Sequence, residues 1–109
     1  IIAPMTGNTM SKFANAATDS PVLMGAKATL RNGSPVILGI STNDALGLNG
    51  QNLMKLINAK NVFFIPFGQD DPHKKPTSLI ADFDKMIETV HYAIEHKKQF
   101  QPIIIQYLK

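Results

Sequence analysis

Three short polar segments hold the residues of this chain whose types and spacing could do chemistry. Residues 6–9 read TGNT, residues 41–44 read STND, and residues 69–75 read QDDPHKK. Hydroxyl and amide groups both donate and accept hydrogen bonds. A glycine among them, here Gly7, lets the backbone approach a ring or a phosphate closely. Such groups suit the heteroatom edge of a planar ring or a carboxylate.

Each polar segment follows an apolar run, and helical patterns lie between these runs. Continuous apolar residues without alternation predict strands that are buried on both faces, at residues 1–5, 35–40 and 61–67. Apolar residues spaced three and four apart predict helices, at residues 9–17, 21–31, 49–60 and 79–94. Ser20 and Pro21 are typical of a helix start, and Asn32-Gly33 of a helix end.

The sequence also predicts which side chains face the core, which residue caps the longest helix and how the chain ends. Met54 is expected to face the core with Leu53, Leu56 and Ile57. Thr77 or Ser78 is expected to cap the longest helix. Pro102 to Leu108 is expected to form a final extended segment.

Strands that alternate with helices predict an α/β fold in which helices cover both faces of a parallel sheet. Ligands of such sheets bind outside the carboxyl ends of the strands, where all three polar segments would form one rim. Helix N-termini on this rim would offer free N–H groups to an anion. The alternative is that the segments are ordinary turns and caps. The pattern alone predicts an α/β domain with a rim for a ligand.

Composition excludes several classes of function. The 109 residues are 44% hydrophobic and 17% charged, and they contain no cysteine, so disulfides, thiolate metal sites and a cysteine nucleophile are excluded. The net charge of +3 is spread along the chain without a basic cluster, which argues against nucleic-acid binding. No apolar stretch reaches the length of a membrane span, and the composition predicts a cytoplasmic protein.

The string APMTGNTMSKFANAATDSP resembles the strand–loop–helix signature of a flavoprotein family, which includes phosphopantothenoylcysteine decarboxylases and flavin prenyltransferases. The resemblance covers nearly the whole chain and implies a three-layer Rossmann-like or flavodoxin-like sheet. The positions that match the signature are Pro4, Thr6, Asn8, Thr9, Lys12, Ala14, Asn15 and Asp19.

This resemblance implies an FMN site on the rim. The residues implied as cofactor contacts are Thr6, Gly7, Asn8, Thr9, Ser41 and Thr42. It also implies that Asn8 lies against substrate.

Some positions depart from the family. The prenyltransferases have an arginine near Ser41 and Thr42, so pairing with the phosphate charge is not expected there. His73 stands where they have a tyrosine. Lys75 stands where they have an arginine, and a lysine ammonium cannot make the bidentate hydrogen bonds of a guanidinium. The late cysteine of the decarboxylases has no counterpart.

Two longer strings, GISTNDALGLNGQNLM and PFGQDDPHKKP, resemble one branch of the family, a subunit of a two-subunit oxidoreductase. This implies a nicotinamide-binding partner subunit that could use NADP, and a small dicarboxylate substrate held by Asn8, Lys74 and Lys75. It also implies a homo-oligomer in the mother cell of a sporulating bacterium. Two alternatives remain: a structural partner that binds no flavin, and a flavin-dependent decarboxylase or prenyltransferase.

Residues 1–109 resemble the C-terminal half of a single family domain. The family places its flavin-phosphate cradle in the half that precedes such a segment. The expectations are therefore weak FMN binding by these residues alone and an unpaired sheet edge beside Ile1-Ile2. Either this edge finds a partner, or the missing half of the domain is supplied elsewhere.

The histidines and the charged loop leave alternatives open. His73 is a candidate general acid or base, with an exposed loop histidine as the alternative, and no other catalytic residue is identified. His91 and His96, with Glu95, are assigned to a solvated surface rather than to a metal site. Asp70-Asp71 and Lys74-Lys75 either bind a dicarboxylate through the lysines or form a self-paired loop.

Overall fold

The computed structural model describes residues 1–107 and forms one sheet with helices on both faces. In chain order the elements are β1 (Ile2–Met5), α1 (Gly7–Ala14), α2 (Pro21–Arg31), β2 (Val36–Thr42), α3 (Gly50–Ile57), β3 (Val62–Phe64), β4 (Phe67–Gly68), β5 (Leu79–Ala81), a 3-10 turn (Phe83–Lys85) and α4 (Met86–His96). Within residues 1–107, no helix is both long and apolar enough to cross a membrane.

The sheet is built around β2. Leu38 in its middle pairs with Ile2 of β1 and with Phe64 of β3, and both pairings are parallel. Beyond the reach of β3, the last two residues of β2 pair antiparallel with β5, and β5 pairs antiparallel with β4. The predicted α/β fold is confirmed, and the parallel core carries a short antiparallel extension.

Two apolar clusters fill the space between the sheet and its helices. The larger cluster packs α1, α2 and α3 against one face, through residues such as Met10, Ala26 and Leu53. The smaller cluster packs α4 against the other face, with Ala93 near Ile37 and Phe63. Because apolar side chains of β2 and β3 point to both faces, these strands are apolar without alternation.

The predicted helix over residues 79–94 is wrong in its first third. Leu79–Ala81 is strand β5, and α4 begins only at Met86. Neither Thr77 nor Ser78 caps a helix, since Asp82 caps the 3-10 turn by accepting from the backbone of Asp84. The free edge at the end of β2 offers ladder hydrogen bonds to Leu79 and Ile80, and this long-range pairing overrides their helical spacing.

The TGNT segment was expected to be a loop before a helix over residues 9–17. The helix forms, but its predicted bounds are wrong. Thr6 is the N-cap, and Gly7, Asn8 and Thr9 form the first turn of α1. The helix ends at Ala14, and Ala16 adopts a positive φ of 60°. The polar residues therefore lie on a helix N-terminus immediately after β1.

The expected start and end of α2 are confirmed. The hydroxyl of Ser20 accepts from the backbone N–H of Leu23, and Gly33 follows the helix with a φ of +77°. Met54, which was expected in the core, is instead exposed.

The last predicted segment is extended only in part. Ile104 forms an isolated bridge with Phe67, and Leu108 lies outside the described residues.

Candidate functional site

A cleft of about 490 Å³ lies at the carboxyl ends of β1 and β2. One side is the first part of α1, and the other is the turn after β2 together with the start of α3. The residues that line it are Gly7, Asn8, Ser11, Asp44, Leu48, Asn49, Gln51 and Asn52. The cleft thus lies where ligands of open α/β sheets bind.

Gly7 lets the two sides of the cleft approach each other. A Cβ at this position would lie 2.5 Å from the Thr42 hydroxyl, 2.9 Å from a carboxylate oxygen of Asp44 and 3.0 Å from the Asn49 amide. Side-chain carbons do not approach heavy atoms this closely. The absence of a side chain at Gly7 is therefore a geometric requirement of this arrangement.

Asn49 joins the two sides through hydrogen bonds. Its Nδ2 donates to the backbone carbonyl of Gly7 at 2.9 Å and lies 3.4 Å from Oδ1 of Asp44. The same Oδ1 accepts from the Thr42 hydroxyl at 2.7 Å. Asn49 is only 7% exposed, and a buried amide that lost these partners would be costly. The first turn of α1 and the turn after β2 are thus held in one arrangement.

The hydrogen bonds continue away from the cleft through α3. Asn52 donates to Oδ1 of Asn49 at 2.7 Å, and Asn15 donates to Oδ1 of Asn52 at 3.2 Å. Nζ of Lys55 in turn lies 3.4 Å from Oδ1 of Asn15. This chain of amides fixes the amide orientation of Asn49, because its oxygen is occupied by Asn52 and its nitrogen faces Gly7.

The electrostatics of the cleft are unusual for an anion site. Asp44 is the one charged residue among the eight that line it, and its carboxylate lies next to Gly7 at the N-terminus of α1. A helix N-terminus attracts negative charge, and here a carboxylate of the chain itself supplies that charge. The remaining polar lining residues offer neutral amides and a hydroxyl. The cleft therefore favours a ligand edge that donates hydrogen bonds over a phosphate.

The structure brings only part of the predicted cofactor set into the cleft. Gly7 and Asn8 line it. The hydroxyls of Thr6 and Thr9 bond to each other at 3.2 Å in the cap of α1. Ser41 pairs with Ile80 in the sheet.

Thr42 is buried, and it contacts the site through its hydrogen bond to Asp44. It supports the cleft wall without lining it.

Thr77, two residues after the third polar segment, contacts the turn that follows β2. The Thr77 hydroxyl donates to the carbonyl of Asn43 at 2.6 Å, and the N–H of Leu46 donates to the carbonyl of Thr77 at 3.0 Å. Lys74 and Lys75 are exposed on this loop and do not line the cleft. The loop is therefore anchored to the turn after β2.

The loop pairs with itself through hydrogen bonds to the side chain and the carbonyl of Asp71. Oδ1 of Asp71 accepts from the N–H of Lys74 at 3.2 Å, and the carbonyl of Asp71 accepts from the N–H of Lys75 at 2.8 Å. The ammonium groups of the two lysines form no ion pair with the described residues. His73 is exposed in the same loop.

The histidines of α4 are exposed at the surface. Nε2 of His96 lies 3.9 Å from a carboxylate oxygen of Glu95, and His91 is exposed on the same helix. Within residues 1–107, no group of three histidine or acidic side chains is arranged to hold a metal ion.

Sequence reasoning missed the residues that build most of the cleft wall. Asp44 belonged to a polar segment of the rim without being assigned a role, and Asn49 was interpreted as the start of a helix. Their partners are remote, since Asn49 and Gly7 are 42 positions apart. The available signal was the density of asparagine and glycine in GLNGQN just after a buried strand.

Comparison with known proteins gives two close similarities. The chain is 65% identical over 106 residues to the B subunit of dipicolinate synthase from Bacillus subtilis (strain 168), which covers 97% of this chain and 52% of that protein. A crystal structure of the B subunit of dipicolinate synthase from Bacillus halodurans C matches with a TM-score of 0.95 and 64% identity, over 98% of this chain and 54% of that one. The chain spans about half the length of each. No family model matches.

Proposed function

We propose that the chain contributes to a dipicolinate synthase as part of its B subunit and that its cleft holds the ring of a bound FMN. In this proposal the two-subunit enzyme oxidises a dihydrodipicolinate-type intermediate to dipicolinate in the mother cell during sporulation. The name of the two similar proteins supports the reaction class. The observation that carries the cofactor is the cleft at the ends of β1 and β2.

The lining of the cleft fits the heteroatom edge of an isoalloxazine. Such an edge presents both carbonyl acceptors and a ring N–H donor, and the amides of Asn8, Gln51 and Asn52 can serve either kind. Asp44 supplies an acceptor with full negative charge, and hydrogen bonds to charged groups are the stronger ones. Ser11 adds a hydroxyl on the α1 side.

The phosphate of FMN finds no matching charge in this cleft. None of the eight lining residues is basic, and Asp44 would repel a dianion. The proposal therefore assigns the ring to the described residues and the phosphate to a part of the subunit outside them. Bound flavin would supply two-electron oxidation, and NADP would be bound by the A subunit.

The chain's own contribution is to hold and orient the reactants. Asn49 and Gly7 fix the relative position of the two walls, which aligns ring and substrate in one geometry. Lys74 and Lys75 carry two positive charges that form no ion pair with the described residues, on a loop that also holds Asp70 and Asp71. Thr77, just after this loop, is hydrogen-bonded to Asn43 beside the cleft. The lysines would attract a substrate with two carboxylates by long-range steering.

A double replacement, Lys74→Gln with Lys75→Gln, tests the steering role. In a full-length subunit that carries this sequence, reconstituted with the A subunit, we expect a raised KM for the dicarboxylate and unchanged subunit association. Because exposed charges are screened by salt, the defect should shrink as ionic strength rises. A normal KM with weakened association would make the loop an interface and would contradict the proposal.

A second candidate function is that of a structural partner of the A subunit that binds no flavin. The observation that favours it is the exposure of Leu46 and Leu48 in the turn beside the cleft, with Leu48 91% exposed. These two leucines on one turn would give a partner subunit an apolar contact. The visible spectrum of the purified full-length subunit separates the candidates. A flavin absorption band supports the first, and a colourless protein that does not bind added FMN supports the second.

A further inference from the structure

A second cavity of about 490 Å³ lies beside the first residues of β3. Its walls come from the segments just after α3 and α4 and from residues 99–103. Val62 begins β3 and pairs with Val36, the first residue of β2. The cavity therefore lies at the amino ends of these two parallel strands, whereas the cleft described above lies at the carboxyl ends of β1 and β2. The two spaces are separate.

The floor of this cavity is apolar. Val62 and Phe63 are buried, and they belong to the clusters on opposite faces of the sheet. Ile57 and Ile103 extend the floor and are only partly buried. The volume falls within the range of about 300–1,000 Å³ that is usual for sites of small molecules. An organic ligand would therefore remove apolar surface from water here.

Three lysines also line the cavity. Lys60 follows α3, and Lys97 and Lys98 follow α4. All three are exposed, and within residues 1–107 they form no ion pair. The ends of the two helices contribute about half a negative charge each, so the lysines leave a net charge of about +2 there. Glu95 precedes Lys97 by two residues, but it does not line the cavity, and its carboxylate lies 3.9 Å from Nε2 of His96.

The side-chain oxygens of the two glutamines in the wall are already occupied. Oε1 of Gln99 accepts from the N–H of Phe64 at 2.7 Å, and Oε1 of Gln101 accepts from the N–H of Ile103 at 3.0 Å. Nε2 of Gln101 is left to donate to a ligand. Together with the three ammonium groups, it makes the groups offered by this wall chiefly donors. A ligand that matches them must supply acceptors, and charged acceptors bind most strongly.

We propose that this cavity binds a small organic anion, a carboxylate carried on an apolar chain. The carboxylate would lie among the lysines, and the chain would cover Val62 and Phe63. An acidic peptide added as a strand fits less well, because Gln99 already bonds to both backbone groups of Phe64. Inorganic phosphate would satisfy the lysines and leave the floor uncovered. Since the cavity is separate from the cleft, its occupation does not depend on the proposed function.

Titration of the chain with octanoate, followed by the backbone amide signals of Val62 and Phe63 in two-dimensional NMR, tests the site. We expect both signals to shift with a dissociation constant below about 1 mM. Affinity should rise about two- to fourfold with each methylene group from butanoate to octanoate, because each one buries more apolar surface. Higher salt should weaken the binding, since exposed charges are screened.

Two control ligands separate the charge from the chain. 1-Octanol has the apolar chain without the carboxylate, and it should bind about threefold more weakly or worse. Inorganic phosphate has the charge without the chain, and it should bind about tenfold more weakly or worse. If either control binds as tightly as octanoate, the cavity does not select an apolar carboxylate and the proposal is overturned.

Two pairs of variants test the residues. Gln101→Glu keeps the acceptor for Ile103 and adds a negative charge to the wall, so it should weaken octanoate about fivefold. Gln106→Glu makes the same change on an exposed residue outside this cavity and should have no effect. Lys60→Gln should weaken octanoate about two- to fivefold, whereas Lys27→Gln, on the exposed side of α2, should not.

Circular dichroism confirms that each variant is folded. Because Lys60 is an exposed side chain, Lys60→Gln still tests the charge if Gln101→Glu fails to fold. Two further outcomes would overturn the site. One is that the signals of Val62 and Phe63 do not move with octanoate up to about 10 mM. The other is that each variant binds octanoate as tightly as its control.

Discussion

The side-chain amide of Asn49 donates a 2.9 Å hydrogen bond to the backbone carbonyl of Gly7, across 42 positions of the sequence. This contact joins the two elements that form the cleft, the first turn of α1 and the turn after β2. It is possible only because Gly7 has no Cβ. The shape of the candidate site therefore depends on a matched pair of residues rather than on either segment alone.

Replacing Gly7 by alanine should destabilise the fold by about 1–3 kcal/mol, as overpacking does in a tightly packed region. The new methyl group would meet Thr42, Asp44 and Asn49 at 3.0 Å or less. Gly25→Ala is the matched control, because a Cβ there meets nothing within 4 Å. That change should stabilise α2 by about 0.5–1 kcal/mol. Urea denaturation measures the free energy of unfolding of both variants. If Gly7→Ala and Gly25→Ala change it equally, the close approach at Gly7 is refuted.

Replacing Asn49 by aspartate keeps the shape of the side chain and removes its donor. The carboxylate would face the Gly7 carbonyl and Asp44, so we expect a loss of about 1–3 kcal/mol in the free energy of unfolding. Gln51→Glu makes the same chemical change on an exposed residue of the same cleft, and it should stay within about 0.5 kcal/mol of the unaltered chain. If both variants melt alike, Asn49 does not hold the cleft together.

Gln99 should protect the edge of β3. Its Oε1 accepts from the N–H of Phe64 at 2.7 Å, and its Nε2 donates to the carbonyl of Phe64 at 2.6 Å. Gln99→Ala leaves both backbone groups without these partners, which should cost about 1–3 kcal/mol. Hydrogen exchange of the Phe64 amide should accelerate in this variant and not in the control Gln106→Ala. Unchanged exchange in both would contradict the edge-pairing role.

Tyr107 should make the stability depend on pH in the alkaline range. Burial raises the pKa of Tyr107 above its usual value of 10.0, with added contributions from the charges of Asp82 and Asp70. A raised pKa in the folded state means that the unfolded chain loses its proton first, so stability should fall as pH rises above 10. The hydroxyl also donates to the carbonyl of Ile80 at 3.0 Å. In denaturation curves measured across this pH range, Tyr107→Phe should lose part of the pH dependence. If the variant and the unaltered chain show the same pH dependence, Tyr107 does not cause it.

The parallel strands β1, β2 and β3 and the helix α2 could be predicted from sequence because local signals determine them. Val36 to Ile40 is apolar on both faces, and Ser20 and Gly33 begin and end α2 by cap chemistry. Leu79 and Ile80 were misassigned because their spacing fits a helix as well as a strand. The deciding factor, the free end of β2, is contributed by residues about 40 positions earlier.

The position of the candidate site was easier to predict from the sequence than the residues that line it. The carboxyl ends of two buried strands located the rim, and Gly7 and Asn8 line the cleft that forms there. Asn49 and Asn52 could not be assigned, since an asparagine at a helix start has the same local pattern whether it caps the helix or turns toward a distant carbonyl. In this structure Asn49 forms no cap with its side chain.

The most direct test of the proposal that this cleft binds a flavin ring is a titration of the chain with riboflavin and with FMN, monitored by flavin fluorescence. Because no basic residue lines the cleft, the phosphate should add little, and the two dissociation constants should agree within about threefold. Asn8→Ala should weaken both ligands by about tenfold or more through a lost hydrogen bond, without lowering the melting temperature. FMN that binds tenfold more tightly than riboflavin, or binding that ignores Asn8→Ala, would contradict the proposal that this cleft holds the flavin ring.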